Sequence, residues 1–228
     1  MRCGLFGKLP AKRDFIAIGA PRDFLRVWEP WMQGGVSASR QALGDNWQRA
    51  YLTAPIWRFW LGADLAGTTI AGAFMPSMDG IGRYFPLTLF ASADDGAVIA
   101  PPEFDAQDGW YGAVEDFLLA TLERDANYEA IAAGLERLAP PANSAGAPRP
   151  PDTAALNRGL VVKAEGSPSF PAIFGSMRVA DPVNAYAGSS FWWTVGGQDY
   201  APLAIALRAM PDPFLFTEML TGHFAFGF

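Results

Sequence analysis

The sequence predicts an α+β fold, in which a single domain spanning residues 1–228 has a central, largely antiparallel sheet flanked by helices in a sandwich-like arrangement. Neighbouring strand candidates are joined by tight turns rather than by crossover helices, which favours antiparallel pairing. Long stretches between the strand groups have helical periodicity. The strand candidates of the C-terminal part are too few and too short for a separate core, so we expect them to join the same sheet.

The charge balance and the cysteine content restrict the partner and the compartment. Acids outnumber bases, 23 against 17, and the formal net charge of −6 argues against nucleic acid, which would require a basic stripe. The single cysteine, Cys3, cannot form an intramolecular disulfide, which is typical of a cytoplasmic protein. No apolar run approaches the roughly 20 residues that cross a bilayer, and no signal peptide is visible, so we expect no membrane insertion.

The N-terminal region is predicted to form a strand, a loop and two helices. Residues 3–6 are an apolar strand candidate, followed by Pro10, which cannot donate a hydrogen bond inside a sheet. Large apolar residues recur at spacings of three and four across residues 21–32, which predicts an amphipathic helix. We expect Pro30 to end or kink this helix, and the glycines that follow to separate it from a second helix over residues 37–43.

The middle of the chain is predicted to alternate between strands and helices. Aromatic and apolar composition predicts three strands, over residues 51–61, 68–75 and 84–90. The last two are joined by a turn that carries Asp79 and Arg83 beside two glycines, which suggests an antiparallel pair. Apolar faces then predict helices over residues 110–124 and 128–138.

The C-terminal part begins with a change of composition. Residues 140–152 combine prolines with small residues and have no apolar periodicity, which predicts an exposed loop or linker. Four short strand candidates follow, over residues 160–162, 171–174, 189–195 and 203–207. A short helix is predicted for residues 213–220.

Residues typical of enzyme active sites are scarce in the sequence. His223 is the only histidine, so a hydrolase triad and a structural zinc site both receive little support. Acids at 94–95 and 105–108 leave a carboxylate-bound metal open, although acids also favour the start of a helix. The glycines around Lys8 lack the helix that would make a phosphate loop. We therefore expect no cofactor, no metal and no catalysis.

Two arginines lie in unusually apolar surroundings. Burying Arg58 or Arg83 is costly unless the guanidinium is paired with a carboxylate or stacked on an aromatic ring. Asp14 and Asp79 are available anions. The pattern is compatible with a structural ion pair and with direct contact to a partner, and the sequence leaves both open.

Adjacent tryptophans occupy one strand candidate. Because side chains alternate across a strand, one of Trp192 and Trp193 should face the core and the other the opposite face of the sheet. If that opposite face is uncovered, it is a candidate surface for protein contact.

Five sequence blocks in a fixed order resemble the TagF family, also called ImpM, which is associated with bacterial type VI secretion. The blocks are GLFGKLP from Gly4 with Asp14-Phe15 after it, the helix with Trp28 and Trp31, APIWRF from Ala54, MPSMDGIGRYFPL from Met75, and SFWWT from Ser190. This chain has Arg13 where the family usually has glycine before Asp-Phe. The proline-rich segment looks like a variable insertion outside the shared pattern.

The resemblance implies a cytoplasmic accessory protein that restrains the secretion machine after translation by binding its forkhead-associated scaffold protein. Some relatives are fused to a phosphatase domain, for which this chain has no room, so we expect the regulatory module alone. The candidate interaction or signature residues are Lys8, Asp14, Trp28, Trp31, Trp57, Arg58, Asp79, Arg83, Tyr84, Phe85, Trp192 and Trp193.

Two alternatives stay open beside this interpretation. A carboxylate or metal-dependent hydrolase would require Asp14, Asp79 and Asp94 to converge in a pocket. A structural subunit of the machine would differ in the sign of its effect, since its deletion would abolish secretion instead of releasing it.

Overall fold

The computed structural model describes residues 1–93, 97–123, 125–142, 152–157, 159–163, 166, 168–197 and 199–224. The described residues form nine strands, which are β1 (Arg2–Gly7), β2 (Ile16–Ile18), β3 (Trp57–Leu61), β4 (Ile70–Met75), β5 (Leu87–Ser92), β6 (Thr153–Leu156), β7 (Gly159–Val162), β8 (Ser190–Thr194) and β9 (Leu203–Leu207). The same residues form eight α-helices, which are α1 (Arg22–Leu43), α2 (Trp47–Thr53), α3 (Ala63–Ala66), α4 (Asp108–Ala120), α5 (Tyr128–Arg137), α6 (Phe170–Ala180), α7 (Pro182–Ala185) and α8 (Leu215–Thr221).

Seven strands form one sheet in the order β2-β1-β5-β4-β3-β8-β9, and all neighbouring pairs are antiparallel. Strands β8 and β9 follow the proline-rich segment, yet β8 pairs directly with β3, with Arg58 opposite Trp193. Both halves of the chain therefore build one sheet. The predicted α+β class with a largely antiparallel sheet is confirmed. The remaining strands, β6 and β7, pair only with each other, as a two-stranded hairpin.

The face of the sheet covered by α1, α2 and α8 is packed with aromatic side chains. Trp28 of α1 lies with its ring centroid 4.3 Å from that of Phe59 and 5.7 Å from that of Trp192. All three side chains are fully buried. Trp28 Nε1 donates to Thr88 Oγ1 at 3.1 Å, so the polar atom of the indole is also satisfied.

The opposite face is covered by α4 and α5 and is more aliphatic. Val114 and Leu118 of α4 are fully buried against this face, together with Leu87 and Leu89 of β5. Successive residues of β5 alternate between the two faces, since Thr88 lies on the aromatic side. The sheet is thus buried on both faces, and its central strands have no exposed residues.

Helix α1 is continuous, which corrects the predicted break. It runs through Pro30, and this proline lies on the exposed side, where water can hydrate the carbonyl of Arg26 that loses its donor. Gly34 and Gly35 do not separate two helices. A Cβ atom on Gly35 would lie 2.8 Å from the Phe216 side chain, so these glycines let α8 pack closely against α1.

Two predicted strand segments are helical. Residues 51–53 end α2, because Trp47 and Tyr51 lie one helical turn apart and both are buried. Residues 171–174 belong to α6, where Pro171 occupies the first turn, a position that proline tolerates in a helix but not in a central strand. The short edge strand β2, which pairs with β1, was not predicted from the sequence.

Most of the proline-rich segment lies outside the described residues, so its predicted loop conformation stays a prediction. Among the described residues, no helix is both long enough and apolar enough to cross a membrane.

Candidate functional site

The connection between β4 and β5, residues 76–86, is called here the Asp79 turn because one carboxylate organises it. Asp79 Oδ1 accepts hydrogen bonds from the backbone N–H of Ile81 at 3.1 Å and of Arg83 at 2.9 Å. The Asp79 N–H donates to the carbonyl of Arg83 at 3.1 Å, and Gly82 has a φ of 83°, which favours glycine. The sequence therefore closes a tight reversal around a buried anion.

Two cations share the other oxygen of that carboxylate. Lys8 Nζ lies 2.9 Å from Asp79 Oδ2, and Arg83 Nε lies 2.6 Å from it. The Arg83 guanidinium also donates to the carbonyl of Arg13. The predicted pairing of Arg83 with Asp79 is present, whereas Asp14 is exposed and is no partner of Arg83. One carboxylate and two cations leave the cluster with a net positive charge.

The pKa of Asp79 results from opposing effects. Burial of the carboxylate favours its neutral form, but hydrogen bonds from the Arg83 N–H, from Lys8 and from the Arg83 side chain favour the anion. The donors win, and the pKa lies well below the usual range for aspartate. Asp79 is therefore a fixed anion with its lone pairs engaged, which makes it a poor general base.

Neighbouring strands bring two of the signature blocks together at this turn. Lys8 directly follows β1, which pairs with β5, so the GLFGKLP block lies beside the MPSMDGIGRYFPL block. Ser77 Oγ donates to the carbonyl of Lys8 at 2.8 Å, and the hydroxyl of Tyr51 donates to the carbonyl of Ser77 at 3.0 Å. These bonds hold the turn at the ends of the central strands β4 and β5.

The outer surface of the turn is partly apolar. Ile81 is 57% exposed and Phe15 is 48% exposed. The Phe15 ring packs edge-on against Phe85 at 4.8 Å, and Lys8 Nζ lies 5.2 Å from the centroid of the Phe15 ring. Phe15 and Ile81 thus present apolar surface next to an exposed arginine.

A groove lies between α1 and the Asp79 turn, and we call it the Arg40 groove. Its volume is about 690 Å³. Its lining residues are Gln33, Val36, Ser37, Arg40, Gly82, Arg83, Tyr84 and Phe85. Two arginines and no acidic residue line it, and the buried side chains of Val36 and Phe85 form its apolar part. Tyr84 and Phe85 were predicted as candidates, and the residues from α1 were missed.

The spacing of Gln33, Ser37 and Arg40 could have indicated this groove. These polar residues recur at intervals of four and three, which places them on one exposed stripe of α1. The sequence contains no signal for what faces that stripe, because the Asp79 turn is distant along the chain.

Arg58 pairs with residues that the sequence analysis did not consider. Its Nε and Nη2 donate to the two oxygens of Glu115 at 2.7 and 2.9 Å, and Nη1 donates to Asp108 at 3.3 Å. Asp14 and Asp79, the anions proposed from the sequence, do not contact it, because α4 lies over β3 and brings its acids there. The hydrogen bonds that Arg58 donates to Glu115 raise the pKa of Arg58, so the cation is permanent.

The predicted tryptophans belong to the packing of the sheet. Trp28, Trp31, Trp57 and Trp192 are buried on the aromatic face. As expected, Trp193 points to the opposite face, but that face is not bare, since Trp193 packs edge-on against Tyr111 of α4 at 4.8 Å. These aromatic residues support the fold, and none of the four buried indoles is available to a partner.

A second apolar surface escaped the sequence analysis. Phe170 and Phe174 lie one turn apart on α6 and are 58% and 65% exposed. The spacing of four and Pro171 at the helix start were the available signals, but the segment was interpreted as a strand.

The described residues do not form the carboxylate site that the hydrolase hypothesis requires. Asp79 is neutralised by Lys8 and Arg83, Asp14 is exposed, and Asp94 lies outside the described residues. Within the described part of the chain, no group of three or more histidine, cysteine, aspartate or glutamate side chains is placed to hold a metal ion.

Comparisons with known proteins agree with the resemblance to the TagF family, and the family model covers the first four of the five sequence blocks. Residues 4–138, more than half of the chain, match the family described as TagF N-terminal domain, Type VI secretion system-associated. The crystal structure of PA0076 from Pseudomonas aeruginosa PAO1 is similar with a TM-score of 0.75 and 33% sequence identity, over 97% of this chain and 94% of that chain. A comparison with curated proteins found no significant match. The protein therefore belongs to the TagF family and is associated with type VI secretion.

Proposed function

We propose that this protein is a cytoplasmic, non-enzymatic regulator that restrains type VI secretion after translation by binding the forkhead-associated scaffold protein. The observation that carries the proposal is the position of the MPSMDGIGRYFPL block. The segment from Met75 to Leu89 is buried at both ends, but its turn reaches the surface with Ile81 and Arg83 exposed. A segment that is buried at both ends and exposed at its turn is suited to recognition.

The chemistry around the turn supports binding rather than catalysis. Asp79 is engaged by two cations and two backbone N–H groups, so it has no free lone pair with which to activate water. The exposed part combines aliphatic, aromatic and cationic side chains. Such a mixture is typical of a protein interface, which needs apolar anchors and a polar rim but no nucleophile.

The binding step can be tested with purified scaffold protein and an Ile81→Asp variant. We expect a charge on this anchor to weaken binding by about tenfold or more, because an interface buries its apolar anchors. Val195→Asp is the matched control, since Val195 is 59% exposed on another loop. Equal binding by wild type and both variants would show that the interface does not include the turn.

The regulatory step can be tested by a secretion assay. Overexpression should stop secretion and deletion should increase it. If deletion abolishes secretion, the protein is instead a structural subunit of the machine. Absence of scaffold binding together with unchanged secretion would refute the proposed function as a whole.

A further inference from the structure

We propose that the Arg40 groove binds an extended acidic segment of a partner protein. The inference rests on the proposed function only for the identity of the partner. If that partner is the scaffold protein, an acidic segment of the scaffold binds in this groove. The site is defined by its lining, which contains two arginines from separate elements and no carboxylate. This lining is positively charged, although the formal net charge of the chain is −6.

Arg83 supplies a positive charge that the protein does not neutralise. Lys8 and Arg83 share the single carboxylate of Asp79, so one positive charge remains. Nε and Nη2 of Arg83 are held by Asp79 and by the Arg13 carbonyl, which fixes the orientation of the guanidinium. Nη1 has no acceptor among the described residues, and 54% of the side chain is exposed. The guanidinium is therefore pre-oriented with a donor to spare.

Arg40 supplies the second positive charge from α1. Its guanidinium carbon lies 4.2 Å from the centroid of the Trp47 ring, and the indole is fixed by a 2.8 Å hydrogen bond from Nε1 to Ser39 Oγ. Within the described part of the chain, no carboxylate forms an ion pair with Arg40. An arginine stacked on an aromatic face keeps the N–H groups of its planar fork available for carboxylate oxygens.

The residues between the arginines suit the backbone of an extended peptide. The Tyr84 hydroxyl accepts a hydrogen bond from Gln48 Nε2 at 2.8 Å, so its own hydrogen is free to be donated. Gln33 uses its amide nitrogen to contact Glu29, which leaves its carbonyl oxygen as an acceptor. Val36 adds apolar surface. The groove therefore offers donors, acceptors and an apolar contact along its length.

The alternative ligand classes fit these features less well. Nucleic acid would require a longer basic surface than two arginines can form, on a protein that is acidic as a whole. A volume of about 690 Å³ is larger than a single small anion needs. Two arginines without a carboxylate, in an open groove of this volume, point to an acidic protein segment.

The first test measures binding of a synthetic peptide of about ten residues that alternates Glu with Ala, using calorimetry at low salt. A peptide with Gln in place of Glu is the uncharged control. We expect only the Glu peptide to bind, and Arg40→Glu to weaken it by about tenfold or more. Arg49→Glu is the matched control, because Arg49 is exposed on α2 outside the groove lining.

Three results would overturn the inference. They are failure of the Glu peptide to bind, equal binding of the Gln peptide, and equal weakening by Arg40→Glu and Arg49→Glu. Ser37→Glu adds a carboxylate to the groove one helical turn before Arg40, where it competes with the peptide for that arginine, so it keeps the test decisive if Arg40→Glu fails to fold. Backbone amide shifts on titration of the Glu peptide should cluster at Ser37, Gly82 and Tyr84, and shifts confined to other regions would contradict the assignment.

The same variants in the scaffold binding assay separate the two proposals. If the scaffold binds and ignores Arg40→Glu, the groove is not its docking site, while the proposed function stands. If the Glu peptide binds in an Arg40-dependent way but the scaffold does not bind, the proposed function fails and the acidic specificity of the groove stands.

Discussion

Arg58 and Asp79 are the buried central charges of two ion clusters that leave opposite charges at the surface. Arg58 is a buried cation held by Glu115 and by the exposed Asp108, so one cation faces two carboxylates. Asp79 is a buried anion held by Lys8 and by the half-exposed Arg83, so one anion faces two cations. The same ion-pair chemistry thus fixes a helix on the sheet at one place and presents a cationic surface at the other.

Replacement of Asp79 should have the largest effect on stability. Asp79→Ala leaves the buried Lys8 without a counter-ion and removes the acceptor for two backbone N–H groups of the turn. We expect the midpoint of urea unfolding to fall by about 1 M or more. Asp14→Ala is the matched control, because Asp14 is exposed and should change stability by less than about 0.5 kcal/mol. Equal effects of the two variants would contradict the buried-anion account.

Acidification should reproduce part of this loss. The folded-state pKa of Asp79 is lowered, so the unfolded state binds protons more readily. The stabilisation is fully present above the ordinary aspartate pKa of 3.8 and declines as the pH falls from there towards the lower folded-state pKa. Urea titrations at a series of acidic pH values should show that the free energy of unfolding depends less steeply on pH for Asp79→Asn than for wild type. Parallel curves would assign the acid sensitivity to other carboxylates.

Replacement of Arg58 should have a smaller effect than loss of the buried anion. Arg58→Met keeps the apolar stem but removes the bidentate pair with Glu115, which costs about 2 kcal/mol. Glu115 is partly exposed and Asp108 is exposed, so water can replace their partner. Chemical denaturation measures the loss, and Arg49→Met on the exposed side of α2 is the control. If Arg58→Met lost as much stability as Asp79→Ala, the two ion clusters would not differ in their contribution to stability.

Replacement of Arg83 should have the smallest effect on stability and a large effect on binding. In Arg83→Ala, Asp79 keeps Lys8 and two backbone N–H donors, so we expect a loss of only about 1 kcal/mol. Circular dichroism should show a folded protein, whereas the binding test with purified scaffold protein should show that the variant no longer binds it. An unfolded Arg83→Ala protein would instead show that this arginine has a structural role in the Asp79 turn.

Much of the fold was predictable because local patterns determine it. The strands around β3, β4, β5, β8 and β9 were recognised from composition, and antiparallel pairing was predicted from the turn signals between strand candidates, although α3 connects β3 to β4 in the structure. The misassigned segments share a cause, since aromatic and apolar residues in short runs fit a buried strand and a buried helix equally well. The break expected at Pro30 failed because an exposed proline can be tolerated within a long, packed helix.

The candidate site was predictable only in part. The partner of Arg83 lies four residues away and was one of the two acids named from the sequence, whereas the partners of Arg58 lie 50 and 57 residues away and were not named. The Arg40 groove was missed for the same reason, since its two sides come from α1 and from the Asp79 turn. Distant partners are chosen by strand order and helix placement, which a single sequence does not reveal.

The sequence by itself determined the α+β class, the antiparallel sheet, the amphipathic helices and membership of the TagF family, because apolar spacing and ordered motifs are local properties of the chain. Only the tertiary structure decided which charges are buried, which tryptophans serve the core, and which arginines meet across a groove. These outcomes depend on packing between segments that are far apart in sequence, where burial sets the cost of each charge and geometry selects its partner.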